Sequence, residues 1–332
     1  MPPPCVDYLP PAWLPGGHLQ TIYPYLFRRQ PAPALQRERW DAPDGDFVEA
    51  DWLAGPAGAP LVVLFHGLEG SSHSHYARAL LRMLRARGWR GVVPHFRGCG
   101  GLPNRTARAY HSGDFAEIDW MLRIIADRSP DAPRFAVGVS LGGNALLKWL
   151  AWVGEAAHAS IAAAAAVSAP MDLATAGHRL GRGLNCLYGW NFLRTLKRKS
   201  LAKLERFPGL YDARAVAGAR TLHAFDGLVT APLHGFRDTE DYWSRASSKP
   251  DLRAIRLPTL IVHARNDPFL PGAYLPGPGD VSPWVGLHYT EAGGHAGFAS
   301  GPFPGRLDWL PGCLLHFFAT HAAPQSAATT GG

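Results

Sequence analysis

Arg134-Phe135-Ala136-Val137-Gly138-Val139-Ser140-Leu141-Gly142-Gly143-Asn144 is the stretch on which the fold turns. Residues 134–139 read as a short apolar strand, and 144–153 carry the spacing of a helix. Between them stands Gly138-Val139-Ser140-Leu141-Gly142, a G-x-S-x-G at the strand-to-helix junction. A sharp turn at that junction forces Ser140 into a strained backbone conformation, which the small residues two positions to either side permit, and lifts its hydroxyl above the sheet edge. The helix N-terminus behind it favours developing negative charge.

Outward from this junction the same rhythm repeats. Residues 61–65 read as a central strand ending at His66-Gly67, 76–87 as a helix with Leu80, Leu81 and Leu84 on one face, and 91–96 as the next strand. A helix over 114–127 presents Ile118, Met121, Leu122 and Ile125, and strands follow at 161–167 and 258–264. Alternating strands and helices predict an α/β fold with a mostly parallel central sheet covered on both faces. The rhythm breaks over 172–250, which is richer in charge and aromatics and reads as a helical cap inserted before the strand of 258–264. Inside it Leu193, Leu196, Leu201, Leu204 and Phe207 share one helical face opposite Arg194, Lys197, Arg198, Lys199 and Lys203. That pattern predicts a lid helix with a solvated basic face, the alternative being contact with a lipid surface.

The 332 residues, 47% hydrophobic and 18% charged, are enough for one large domain. We read 1–332 as that domain, with 1–50 as an N-terminal arm and first strands and 322–332 as a disordered tail. No apolar run is long enough to span a bilayer. Residues 1–17 are proline-rich and lack the plan of a secretory signal, so a cytoplasmic location is expected. Cys5, Cys99, Cys186 and Cys313 are far apart, form no CxxC pair and are expected to be free thiols. A net charge of +7 without a basic and aromatic recognition motif argues for a soluble surface and against nucleic acid.

A serine hydroxyl is a weak nucleophile at neutral pH and requires a base oriented by an acid. Suitable partners follow in chain order. Asp267 comes directly after the strand of 258–264, in Arg265-Asn266-Asp267-Pro268. His295 follows a short strand over 287–290, in the flexible Gly293-Gly294-His295. Of 15 histidines it alone has both the order and the setting. Acyl transfer also needs fixed donors for the oxyanion, for which the backbone N–H groups of Leu141 and Leu68 are the candidates.

Other motifs are read as structural. His66 belongs to the turn after its strand. Gly98-Cys99-Gly100-Gly101 has neither Rossmann spacing nor a P-loop lysine. His73 and His75 lack the partners of a zinc site, and Asp41, Asp44 and Asp46 lack the ligand order of a calcium loop, Asp44-Gly45 being a turn.

Several of these segments together carry a family likeness. His18-Leu19-Gln20-Thr21-Ile22, His66-Gly67-Leu68-Glu69-Gly70, Arg97-Gly98-Cys99-Gly100, Tyr110-His111-Ser112-Gly113-Asp114, the turn at Ser140, Ala169-Pro170-Met171-Asp172-Leu173 and His263-Ala264-Arg265-Asn266-Asp267-Pro268-Phe269 resemble the YheT/Emb8-like branch of the α/β-hydrolases, to which animal ABHD-type lipid hydrolases belong. The resemblance covers nearly the whole chain. It implies the α/β-hydrolase fold with Ser140 as nucleophile, Asp267 as acid and His295 as base. It makes His18 to Ile22 and His111 to Gly113 structural marks without a catalytic role. Animal members carry an N-terminal membrane anchor that residues 1–17 do not resemble, a departure pointing away from bilayer substrates.

The expectation is a serine hydrolase cleaving carboxylic esters through an acyl-enzyme, with a small ester or lipid-like substrate, no metal and no organic cofactor. The rival readings are an acyltransferase or peripheral lipid hydrolase on the same three residues, or a non-catalytic small-ligand receptor on the same scaffold.

Overall fold

The structure, a computed structural model, describes residues 5–27 and 31–322. Eight strands form one sheet: β1 Gln36–Asp41, β2 Phe47–Leu53, β3 Leu61–Phe65, β4 Arg90–Pro94, β5 Arg134–Val139, β6 Ala163–Val167, β7 Thr259–Ala264 and β8 Val285–Thr290. Their order is β1-β2-β4-β3-β5-β6-β7-β8. β2 runs antiparallel to both β1 and β4, and every pairing from β4 to β8 is parallel.

Strands β3 and β6 are apolar at every position because both faces of the sheet are covered there. Leu61, Val63 and Phe65 of β3 face one side, where they join Ile118, Met121 and Leu122 of α3 (Phe115–Arg128) and Leu146, Trp149 and Leu150 of α4 (Leu141–Val153). Val62 and Leu64 face the other, joining Leu80, Leu81 and Leu84 of α2 (His75–Ala86) and Leu314 and Phe318 of α11 (Trp309–Ala319). These elements match the sequence reading to within a few residues at their ends, where α4 begins directly after Ser140 and β6 starts at Ala163.

Helices α5 (Leu173–Leu180), α6 (Cys186–Leu204), α7 (Ala213–Gly218), α8 (Leu222–Phe225), α9 (Ala231–Leu233) and α10 (Thr239–Ala246) all lie between β6 and β7. Asp172, Asp212, Thr221 and Asp238 cap four of them by accepting backbone N–H bonds, the role that favours these short polar side chains at helix starts. The segment keeps small cores of its own, one around Leu193, Val216 and Phe225 and another around Leu173, Tyr242 and Trp243.

Two expectations change. The basic face of α6 is not simply solvated. Lys199 Nζ donates to Glu69 at 3.0 Å, and Lys203 Nζ donates to Asn104 Oδ1 at 3.1 Å and to the carbonyl of Arg108 at 2.8 Å, so these side chains reach down to the body of the protein. Cys5 and Cys313 are joined as a disulfide with their Cα atoms 4.6 Å apart, while Cys99 and Cys186 are free. Their separation of 308 residues hides this pairing from any reading of spacing. Within the arm, residues 17–27 form a helix, α1 (Gly17–Phe27), whose role emerges at the site. The tail assigned as disordered lies, apart from Ala322, outside the described residues.

Candidate active site

The parallel register brings the strand ends to a single rim. Ser140 N–H donates to Val167 O and Ser168 N–H to Val262 O, each at 2.9 Å, which continues the ladder one residue past β5 and β6. Ser140 itself has φ 54° and ψ −121°, the left-handed strain expected of its turn. A Cβ on Gly142 would come within 2.6 Å of His66 O, so only glycine lets the turn sit this close to the end of β3.

The structure brings the three widely spaced candidates together. His295 Nε2 is 2.9 Å from Ser140 Oγ, and His295 Nδ1 is 2.9 Å from Asp267 Oδ2. Burial pushes the Asp267 carboxyl up, but His295 beside it and the N–H of Phe269 outweigh burial and hold it below its ordinary value. Asp267 is therefore an acceptor only. Nδ1 of His295 must carry the proton, which leaves the Nε2 lone pair aimed at the Ser140 hydroxyl. Phe269 stacks on the imidazole with ring centroids 4.0 Å apart.

What sequence reasoning missed is the frame around His295. Its own N–H donates to Thr21 Oγ1 at 2.8 Å, and Thr21 Oγ1 donates to Gly17 O at 2.7 Å. Gln20 Oε1 accepts from Gly293 N–H at 2.8 Å and from Asn266 Nδ2 at 2.9 Å, while Asn266 Oδ1 accepts from Gly294 N–H at 3.0 Å. Ser168 Oγ accepts from Ala296 N–H at 3.0 Å, and His75 Nε2 donates to Ala296 O at 2.9 Å. Gly294, at φ 64°, lies so close to α1 that a Cβ would be 2.8 Å from Thr21 N. The segment His18 to Ile22 thus positions the loop of His295, a role stronger than the structural mark assigned to it. Its signal was the motif itself, but nothing in the sequence said which distant loop it met. His263 is a second addition: fully buried, it donates from Nε2 to Leu270 O at 3.0 Å and lies 3.4 Å from Asp267 Oδ2.

Leu68 and Leu141 both border the cavity above Ser140, and among the described residues neither N–H donates to a protein acceptor. The neighbouring Glu69, at φ 55°, is fixed instead, its N–H donating to Tyr110 Oη at 2.9 Å. His66 is fully occupied: Nδ1 donates to Gly67 O at 2.7 Å and Nε2 accepts from Phe96 N–H at 3.1 Å, with burial pushing its pKa down to about 3. Asp44 and Asp46 converge on Arg97, at 2.7 and 3.0 Å, and Glu117 holds the same guanidinium at 2.9 Å. Cys99 is packed beside Glu69 and Lys199, and burial raises its thiol to about 12, which keeps it an inert thiol. Among the described residues no group of three or more His, Cys, Asp or Glu is placed to hold a metal ion.

Above Ser140 opens a cavity of about 520 Å³ between sheet and cap, walled by Leu173, Leu180, Phe192, Leu196, Val229 and Trp243. Residues 60–302 match the family model described as the alpha/beta hydrolase fold. YheT of Escherichia coli (strain K12), whose name gives it an esterase role only provisionally, is 39% identical over 96% of this chain and 95% of its own. The chain belongs to the α/β-hydrolase family, in its YheT-like branch. This hydrolase is also 28% identical to a mouse protein named phospholipase ABHD3, over 93% of this chain and 77% of the other. A Pyrococcus furiosus esterase shares its fold, with a TM-score of 0.56 and 16% identity over 87% of this chain and 92% of that one.

Proposed function

We propose that the protein hydrolyses carboxylic esters with Ser140 as nucleophile, His295 as general base and Asp267 as the acid that orients it. The observation that carries this reading is the unbroken chain from Ser140 Oγ to His295 to Asp267, two contacts of 2.9 Å at a strained turn below an apolar cavity. Nε2 of His295 takes the Ser140 proton as Oγ attacks the acyl carbonyl, the N–H groups of Leu68 and Leu141 hold the oxyanion, and the imidazolium returns its proton to the departing alcohol. Water, activated by the same imidazole, then releases the acid. The esterase and phospholipase names of the relatives support ester substrates, and the apolar cap wall supports an acyl chain or similarly lipid-like group above Ser140.

Ser140→Ala tests the reading. It should abolish turnover of a p-nitrophenyl ester and labelling by a fluorophosphonate, and persistence of both would defeat it. A cytoplasmic location is part of the same proposal. Cell fractionation tests it, and a Cys5–Cys313 bond oxidised in the cell would argue for an oxidising compartment instead.

A further inference from the structure

The start of α6 and the turn just before it, Gly183–Asn185, are apolar on two sides. Inward, Asn185 Nδ2 donates to Pro268 O at 2.8 Å, Tyr188 packs edge-on against Phe269 with centroids 5.0 Å apart, and Phe192 reaches the cavity wall. Outward, Leu184, Leu187 and Trp190 recur at three-residue spacing and are 68%, 65% and 63% exposed. Two leucines and a tryptophan this far into solvent along one ridge are a surface feature that folding of the chain alone does not use. α1, joined to α6 where His18 Nδ1 meets Tyr188 Oη at 3.1 Å, leaves Leu19 51% exposed as well.

The segment that carries the ridge has formal charge of one sign. Residues 173–204 contain seven Lys and Arg and no Asp or Glu. Lys197, Lys199 and Lys203 are taken up by Ala219 O, Glu69 and the carbonyls near Asn104. Arg182 and Arg194 stay exposed beside the ridge, with the Arg194 guanidinium 5.5 Å from the Trp190 ring centroid. Leucine and tryptophan on one outward ridge, flanked by arginines in a segment without acidic residues, match a helix that lies in the headgroup layer of an anionic membrane. Among the described residues no helix is long and apolar enough to cross a bilayer, so the contact is peripheral.

We infer that Leu184, Leu187 and Trp190 dock the cap onto an anionic lipid surface, with Arg182 and Arg194 meeting the headgroups. This moves the lipid-facing surface from the region of Lys197 and Lys199 to the N-terminal end of the helix. The ridge backs directly onto the wall formed by Phe192 and Phe269, so docking sets the cap of the cavity against the bilayer.

The test is flotation of full-length Ser140→Ala protein with vesicles of phosphatidylcholine mixed with phosphatidylglycerol, against vesicles of phosphatidylcholine alone. Using the serine variant keeps hydrolysis out of the readout, so the result is independent of the proposed catalysis. Binding is expected to the anionic vesicles and to fall roughly ten-fold or more with Leu184→Ser, Leu187→Ser and Trp190→Ser combined, and by a similar factor with Arg182→Glu and Arg194→Glu. On the Ser140 background the ridge variant should leave turnover of a short soluble ester unchanged, which shows that it folds. Failure to float with anionic vesicles, or equal flotation of the ridge variant, overturns the inference. A dimer in solution that the ridge variant dissolves, without vesicle binding, would assign the face to a second copy of the chain and overturn it equally.

Discussion

At the rim of the sheet, short polar side chains hold backbone at close range; in the cap, long cations hold a helix at arm's length. The loop of His295 is fixed by Gln20, Thr21, Ser168 and Asn266, each bonded to a backbone N–H at 2.8 to 3.0 Å. α6 and the residues just after it are tied to the body through Lys199, Lys203 and Arg206, whose stems carry the charge down to Glu69 and to carbonyls of residues 104–108. A short buried hydrogen bond fixes position to fractions of an ångström, whereas a half-exposed lysine contact yields to rotamer change and solvent. The difference separates a region that cannot shift without losing its geometry from one that can shift and keep its fold.

The comparison breaks most sharply at Ser140, where alanine should lower kcat/KM on the order of 10⁴-fold or more, as measured with a p-nitrophenyl ester, while leaving thermal unfolding nearly unchanged. The rigidity of the rim also depends on imidazoles that stay neutral: burial holds His66 at about 3, and His75 and His95, the latter directly after β4 and accepting from Ser72 N–H at 3.2 Å, at about 4. Unfolded, these groups titrate near 6.5. The unfolded chain therefore binds more protons between pH 6.5 and 4, and the stability tied to the neutral rings is complete above 6.5 and is lost as pH falls. Urea unfolding at pH 7 and at pH 5 should differ by on the order of 5 kcal/mol, and a flat response would show that these rings are not held neutral.

Thr21→Val keeps the shape of the side chain and removes the acceptor of the His295 N–H. About 10- to 100-fold should be lost, mainly in kcat, because the imidazole is displaced while the cavity is untouched. Lys199→Met should cost less, a few-fold in kcat/KM carried largely by KM, together with faster hydrogen exchange in α6. Were Lys199→Met the more damaging of the two, the cap would belong to the rigid frame and the contrast would be wrong.

Much of this was legible because it is local. The burial of both faces of β3 follows from an unbroken run of apolar residues, and the turn at Ser140 follows from small residues at fixed distances along the chain. Asp267 and His295 could be proposed because each follows a strand whose carboxyl end lies at a common rim. The frame could not be read. Thr21 and Gln20 stood out as part of a motif, yet their partners lie more than two hundred residues away, and a hydrogen-bonding side chain carries no label for its acceptor. The basic stripe of α6 misled for the same reason: periodicity places Lys199 and Lys203 on one face but does not say whether that face meets water or the carbonyls of another loop.

By itself, then, the amino-acid order determined which segments became strand, helix and strained turn, since those outcomes depend on neighbours within a few positions. Only the tertiary structure decided which loop α1 secures, which cysteines pair and which side of α6 is left outside. Such contacts arise when distant segments compete for the same surface during packing, and that competition is settled by the three-dimensional arrangement of the whole chain.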